Sequence, residues 1–94
     1  VEIALTDEVW FWKGPSPWHF LTIGAAESAA VRTMVHTVTY GWGMVPCEVT
    51  IGETTFTTSL WPKDETYIVP LKKAIRDRED IEVGDVITAI IRIG

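Results

Sequence analysis

Val45-Pro46-Cys47-Glu48-Val49-Thr50-Ile51, then Gly52-Glu53, then Thr54-Thr55-Phe56-Thr57-Thr58-Ser59-Leu60-Trp61 is the stretch that decides the fold. Two runs rich in β-branched and aromatic residues flank a dipeptide whose glycine comes first. That order suits a two-residue type II′ turn, whose first central residue needs a positive φ. A two-residue loop also sets the register, placing Ile51 opposite Thr54, Val49 opposite Phe56, Cys47 opposite Thr58 and Val45 opposite Leu60. Side chains alternate along a strand, so nearly all the large apolar residues fall on one face. Glu48, Thr50, Thr55, Thr57 and Ser59 fall on the other. Turn chemistry and periodicity agree on an antiparallel hairpin with a one-sided core.

Beyond the hairpin, Pro62 to Glu65 reads as a turn, Thr66 to Val69 as a short strand, and Pro70 as the first residue of a helix, where a missing N–H is tolerated. Leu71, Ala74, Ile75 and Arg78 fall on the buried side of that helix, and Lys72, Lys73, Arg76 and Asp77 on its outer side. Gly84-Asp85 turns the chain into a last strand, Val86 to Ile93, with Ile87, Ala89, Ile91 and Ile93 on one face. Before the hairpin, Val1 to Trp12 reads as a strand. Its Val1, Ile3, Leu5, Val9 and Phe11 share one face, Trp10 and Trp12 the other, and Asp7 marks a break. Gly14-Pro15-Ser16-Pro17 is a turn by its chemistry, and Trp18 to Ile23 a second strand. Ala25 to Thr33 reads as a short helix, Met34 to Tyr40 as a strand of alternating β-branched residues, and Gly41-Trp42-Gly43 as a breaker. A faint echo sets Phe20-Leu21-Thr22 and Ala30-Val31-Arg32 against Tyr67-Ile68-Val69 and Ala74-Ile75-Arg76, as two half-units would. The pattern predicts one mainly-β domain over residues 1–94, a small barrel with two short helices.

A chain of 94 residues has one modest core. Its net charge of -5 argues against a nucleic-acid backbone binder, which needs a clustered basic face. No run approaches the roughly 20 apolar residues of a membrane span. The single cysteine rules out an intramolecular disulfide. With no signal-peptide layout at the N-terminus, it sets the expectation of a cytoplasmic protein. Cys47 points inward, where a thiol behaves as a small hydrophobe. No Gly-x-Ser-x-Gly elbow is present, and Ser59 is a strand residue beside Trp61. His19 and His36 lack metal-ligand spacing, so neither a metal nor a cofactor is expected. The acidic run Asp77 to Glu82 reads as a solvated face. With no nucleophile–base set, the expectation is a non-enzymatic module, and a hydrolase or transferase ranks last.

The five tryptophans are the unusual entry in the composition. Trp10 and Trp12 alternate onto one strand face, while Trp18, Trp42 and Trp61 sit at strand ends or turns. So small a chain buries five indoles completely only with difficulty. Aromatics with a few polar groups form ligand pockets and interface hot spots. The candidate site is therefore a groove bordered by Trp12, Trp18 and Trp42, with His19, Lys72 and Arg76 at its rim, for a small ligand or a protein. The uncharged stretch Thr33 to Tyr40 is a candidate surface for self-association or for a neighbouring domain.

Taken in order, Trp10-Phe11-Trp12-Lys13-Gly14, Trp18-His19-Phe20, Ala30 with Arg32, Gly41-Trp42-Gly43, Val49-Thr50-Ile51-Gly52, Thr57-Thr58-Ser59-Leu60, Tyr67 to Lys72 and Gly84-Asp85 form a specific set. The chain, from about Val9 to Ile93, resembles the DUF1905 family. These are bacterial domains of unknown function found alone or beside a YdeI/OmpD-associated segment. The resemblance implies a double-split β-barrel with helical caps, related in architecture to AbrB-like swapped-hairpin DNA binders. By that analogy it adds a regulatory or nucleic-acid-associated role as the alternative function. This chain departs from the family in having Ile23-Gly24 where Leu-Pro is usual, and in a Thr33 to Tyr40 stretch without charge.

Overall fold

The computed structural model describes residues 2–14, 18–38 and 43–93, and of 34–38 the backbone alone. Along the chain run β1 (Glu2–Glu8), β2 (Trp10–Trp12), β3 (Trp18–Ile23), α1 (Ala25–Val38), β4 (Val45–Ile51), β5 (Thr54–Lys63), β6 (Thr66–Leu71), α2 (Lys73–Glu79) and β7 (Val86–Arg92). The hairpin β4–β5 adopts the register that its turn dictates, with Ile51 opposite Thr54 and Val45 opposite Leu60. Gly52 has φ 58 while Glu53 does not have positive φ, as a type II′ turn requires. A Cβ at Gly52 would run into the Glu79 carboxylate, so the turn needs glycine for both backbone and space.

The strands form one sheet in the order β1-β7-β4-β5-β6-β3-β2, every pair antiparallel. Its two outermost strands are consecutive pieces of one segment, parted only at Val9. Val9 is fully buried; its N–H donates to the Asp85 carbonyl at 2.8 Å, and its carbonyl accepts from Gly84 N–H at 2.9 Å. The loop before β7 thus satisfies the backbone where the ladder stops. The product is a mainly-β chain with a curled, half-barrel antiparallel sheet and two helices.

The concave face holds the core: Ile3, Leu5, Leu21, Ile23, Val45, Val49, Leu60, Val69, Leu71, Ala89 and Ile91 pack with their neighbours into one cluster. Helix α1 adds Val31 to it. The buried Ser28 hydroxyl donates to the Ile23 carbonyl and accepts from the Tyr67 N–H, both at 3.0 Å, which ties α1 to β3 and β6. Helix α2 buries no residue of its own. It is held by Thr54 Oγ1 donating to Glu79 Oε2 at 2.6 Å and by Arg76 Nε donating to the Leu71 carbonyl at 3.2 Å, and Ile81 just beyond it enters the core.

Several expectations are corrected. The break in the first strand falls at Val9 and not at Asp7, which stays paired with Ile87. The helix expected to end at Thr33 runs on to Val38, so the strand expected from Met34 begins instead as helix. Local β propensity yields there to continuation of the helix begun at Ala25. Strand β5 continues through Pro62 to Lys63, so the turn is confined to Asp64 and Glu65, and Trp61 is a strand residue paired with Ile68. Pro70 opens no helix; it lies in β6 opposite Phe20, past the last β5–β6 pair, where a strand tolerates proline. Helix α2 starts at Lys73, and its expected faces are partly exchanged: Ala74 and Arg78 are exposed, while Ile75 and Arg76 are half-buried. The echo is out of phase, because Leu21 joins the core whereas its counterpart Ile68 lies outside it. The turn residues 15–17 and the breaker residues 41 and 42 lie outside the described residues.

Candidate functional site

Strand registers place Trp10 opposite Phe20, Trp12 opposite Trp18, Phe20 opposite Pro70, Thr22 opposite Ile68 and Trp61 opposite Ile68. Directly paired residues share a face, so these side chains lie together on the convex side of the sheet. Phe20 is 1% exposed and Ile68 5%, yet neither belongs to the core cluster. Phe20 is covered from outside by indoles: ring centroids lie 5.0 Å away at Trp10, 5.2 Å at Trp61 and 6.4 Å at Trp18. Trp18 and Trp61 meet edge to face at 5.3 Å. Trp10 Nε1 donates to Thr22 Oγ1 at 2.8 Å, which gives its one polar atom a partner. The protein therefore has two apolar layers, the core and an aromatic layer on its outer surface.

Clefts flank that layer. One of about 460 Å³ is walled by Trp18, Trp61, Pro70, Met44 and Pro46, with the hydroxyl-bearing Thr57, Thr58 and Ser59 and the basic Lys72 along it. A notch of about 190 Å³ adjoins it, sharing Trp18 and Lys72 and adding His19, Leu71, Lys73 and Arg76. On the other side of His19 and Arg76, a third cleft of about 450 Å³ is acidic, with Asp77, Asp80 and Glu82. His19 sits on the concave side of β3, opposite Leu71 and Phe11, and its ring meets Phe11 edge-on at 5.0 Å. Burial, and then the Arg76 guanidinium, hold His19 below its ordinary pKa of 6.5, so the imidazole is neutral at pH 7.

The notch brings together Trp18, His19, Lys72 and Arg76 of the groove expected from sequence. Trp12 pairs with Trp18 but is 47% exposed, lies with its ring over Gly14, and lines neither cleft beside Trp18. Trp42 lies outside the described residues, as do Thr39 and Tyr40 and the side chains of 34–38 in the candidate self-association stretch. Trp61, Phe20 and Pro70 were not expected at the site. Their signal was the two-residue period: Trp61 follows inward-facing Leu60, so it faces outward once β5 is carried past Pro62. Cys47 is buried, as its register implies, and burial pushes its thiol up to about 11, which leaves no thiolate at neutral pH. Among the described residues no group of His, Cys, Asp and Glu could hold a metal ion, and no helix is long and apolar enough to cross a membrane.

The profile of a family described as Domain of unknown function (DUF1905) matches residues 6–91, nearly the whole chain. The chain belongs to the DUF1905 family. The matched span of this DUF1905 domain includes the seam at Val9, the whole aromatic layer and both walls of the notch. No curated protein and no solved structure matches the chain.

Proposed function

We propose that this DUF1905 domain is a non-enzymatic binding module whose ligand seats on the convex aromatic face, centred on Trp18 and Trp61. The observation that carries the reading is Phe20. It is nearly as buried as the core residues, yet lies outside the core cluster on the opposite side of the sheet, and Trp18 and Trp61, which help bury it, line a cleft. Concave apolar surface with a few fixed polar groups is the usual makeup of a ligand site. The Thr57–Ser59 hydroxyls and Lys72 supply those polar groups here. In this reading the curled sheet is a barrel of the double-split type, and the helices cover its ends. The nucleic-acid role suggested by that architecture gains no support from the charge of -5.

The neutral dye Nile red tests the reading. Its emission rises on entering an apolar cleft. The native protein should bind it, and Trp18→Ala and Trp61→Ala should each abolish most of the signal. If the native protein leaves Nile red dark, or if both variants bind it undiminished, the reading fails.

A further inference from the structure

Cations are scarce in this chain, eight Lys and Arg against thirteen Asp and Glu. Half of these cations are tied down. Lys63 pairs with Asp64 at 3.4 Å, Lys73 with Asp77 at 2.7 Å, and Arg92 with Glu48 at 3.2 Å. Arg32 donates to the Glu65 carbonyl at 2.8 Å. Lys13, Lys72, Arg76 and Arg78 make no ion pair among the described residues, and of these Lys72 and Arg76 line the notch beside Trp18. The Arg76 Nε is fixed on the Leu71 carbonyl, which orients the planar head without neutralising it. Arg76 and His19 also border the neighbouring acidic cleft, whose carboxylates are Asp77, Asp80 and Glu82. The lining of the notch holds Lys72, Lys73 and Arg76 and no carboxylate, in a protein that is negative as a whole.

Trp18 and Lys72 line both the notch and the larger aromatic cleft, so an apolar cleft and a cation-lined one adjoin across these two side chains. Resting on the binding reading above, we propose that its ligand is a small molecule with a flat ring and an oxyanion, carboxylate or phosphate. The ring lies against Trp18 and Trp61, and the oxyanion is held by Lys72 and Arg76. Stacking on indoles needs a planar body. A guanidinium and an ammonium lining the same notch are matched by an oxyanion better than by a neutral group.

Phenyl phosphate, phenylacetate, phenol and inorganic phosphate, titrated separately and followed by NMR shifts of the indole N–H signals, test the assignment. At least one of the two ring-bearing anions should bind about tenfold more tightly than phenol and than inorganic phosphate, since a charge-assisted contact contributes on that order. Comparison of phenyl phosphate with phenylacetate tells which oxyanion is preferred. Lys72→Gln and Arg76→Gln should each weaken the preferred anion about tenfold and leave phenol unchanged. Arg78→Gln removes the same charge from the same helix outside the notch, and should change nothing. If neither ring-bearing anion binds more tightly than phenol, or if Arg78→Gln weakens the anion as much as Lys72→Gln does, the assignment is overturned. Nile red binding that persists in that case leaves the broader reading standing; loss of both removes both.

Discussion

On β1, β7 and β4 the convex face of the sheet carries Glu2, Thr6, Glu8, Thr88, Arg92, Glu48 and Thr50, with Ala4, Val86 and Ile90 among them; on β2, β3 and β6 it carries Trp10, Trp12, Trp18, Phe20, Ile68 and Pro70, with Thr22 among them. The polar half is laced by side-chain contacts. Thr6 bonds Thr88 at 3.0 Å and Thr50 bonds Thr55 at 2.9 Å, while Arg92 reaches Glu48 at 3.2 Å and Glu2 at 3.6 Å. These ion pairs are about half exposed, where such pairs contribute roughly 0–1 kcal/mol. The aromatic half stacks its largest side chains on the outside of the same curl. Both halves share one core, so folding alone does not account for the difference. One half is finished as a surface facing water, as an antiparallel sheet permits. The other half offers apolar area that a partner molecule could cover.

The largest effect contrasts the concave and convex faces within one strand. Leu60 is fully buried in the core, and Trp61, the next residue, is half-buried in the outer layer. Leu60→Ala should cost about 3–5 kcal/mol, the upper range for a cavity that its surroundings cannot fill. Urea unfolding measures this. At urea-free conditions where the variant stays folded, Nile red binding should be unchanged. A dye response that falls with Leu60→Ala would mean that the two layers act as one.

The hairpin and its register, the strand Trp18–Ile23 and the inward face of the last strand are readable in the sequence, because turn chemistry and side-chain period speak to the same residues. The errors fall where the deciding partner is distant in sequence. The strand breaks at Val9 because Gly84 and Asp85 take over its backbone bonds, and nothing near Val9 announces that. Pro70 carries a strong local signal for a helix start, but its pairing with Phe20 overrides it. The period showed that Trp10 and Trp12 face away from the aliphatic side, but it could not show that a second layer forms there. That layer depends on β5 and β6 bringing Trp61 and Ile68 beside β3. Half of the site was readable for the same reason: Lys72 and Arg76 are local features of one segment, whereas the wall they share with Trp18 is made by strand pairing.

Phe20→Ala probes the outer layer in the same way. The lost burial is as large as in the core, but the indoles over Phe20 border open clefts and can settle into the space. The expected cost is about 2–3 kcal/mol, below that of Leu60→Ala because the site can collapse. Here Nile red binding should fall as well, since the platform loses its base. A smaller step on the opposite half completes the series: Thr88→Val removes the hydroxyl bonded to Thr6 on an exposed strand surface and should change stability by less than about 0.5 kcal/mol, with no effect on dye binding. A Thr88 effect equal to that of Phe20 would erase the distinction between the halves.

The smallest effect concerns the edge between the faces, where concave His19 meets the cationic notch. Its pKa in the folded protein is lowered from 6.5 by burial and then by Arg76. The folded state therefore binds fewer protons than the unfolded chain in the window just below pH 6.5, and stability rises with pH there. This contribution is absent above that window, and it destabilises progressively as pH falls from 6.5 through the folded-state value. Around the imidazole, Lys72, Lys73 and Arg76 line the notch, and Asp77, Asp80 and Glu82 line the acidic cleft on its other side. Urea unfolding at pH 7.5 and pH 5.5 should show a loss in the parent protein that is smaller in His19→Gln. Because both proteins carry the same carboxylates and His36, the difference between them isolates His19. An anion held by Lys72 and Arg76 should shrink the His19 contribution, since negative charge beside the imidazole offsets the Arg76 effect and leaves that of burial. Repeating the pair of measurements with saturating phenyl phosphate therefore asks whether the notch and the aromatic cleft are occupied together. Equal pH dependence with and without the ligand would place its charge away from His19.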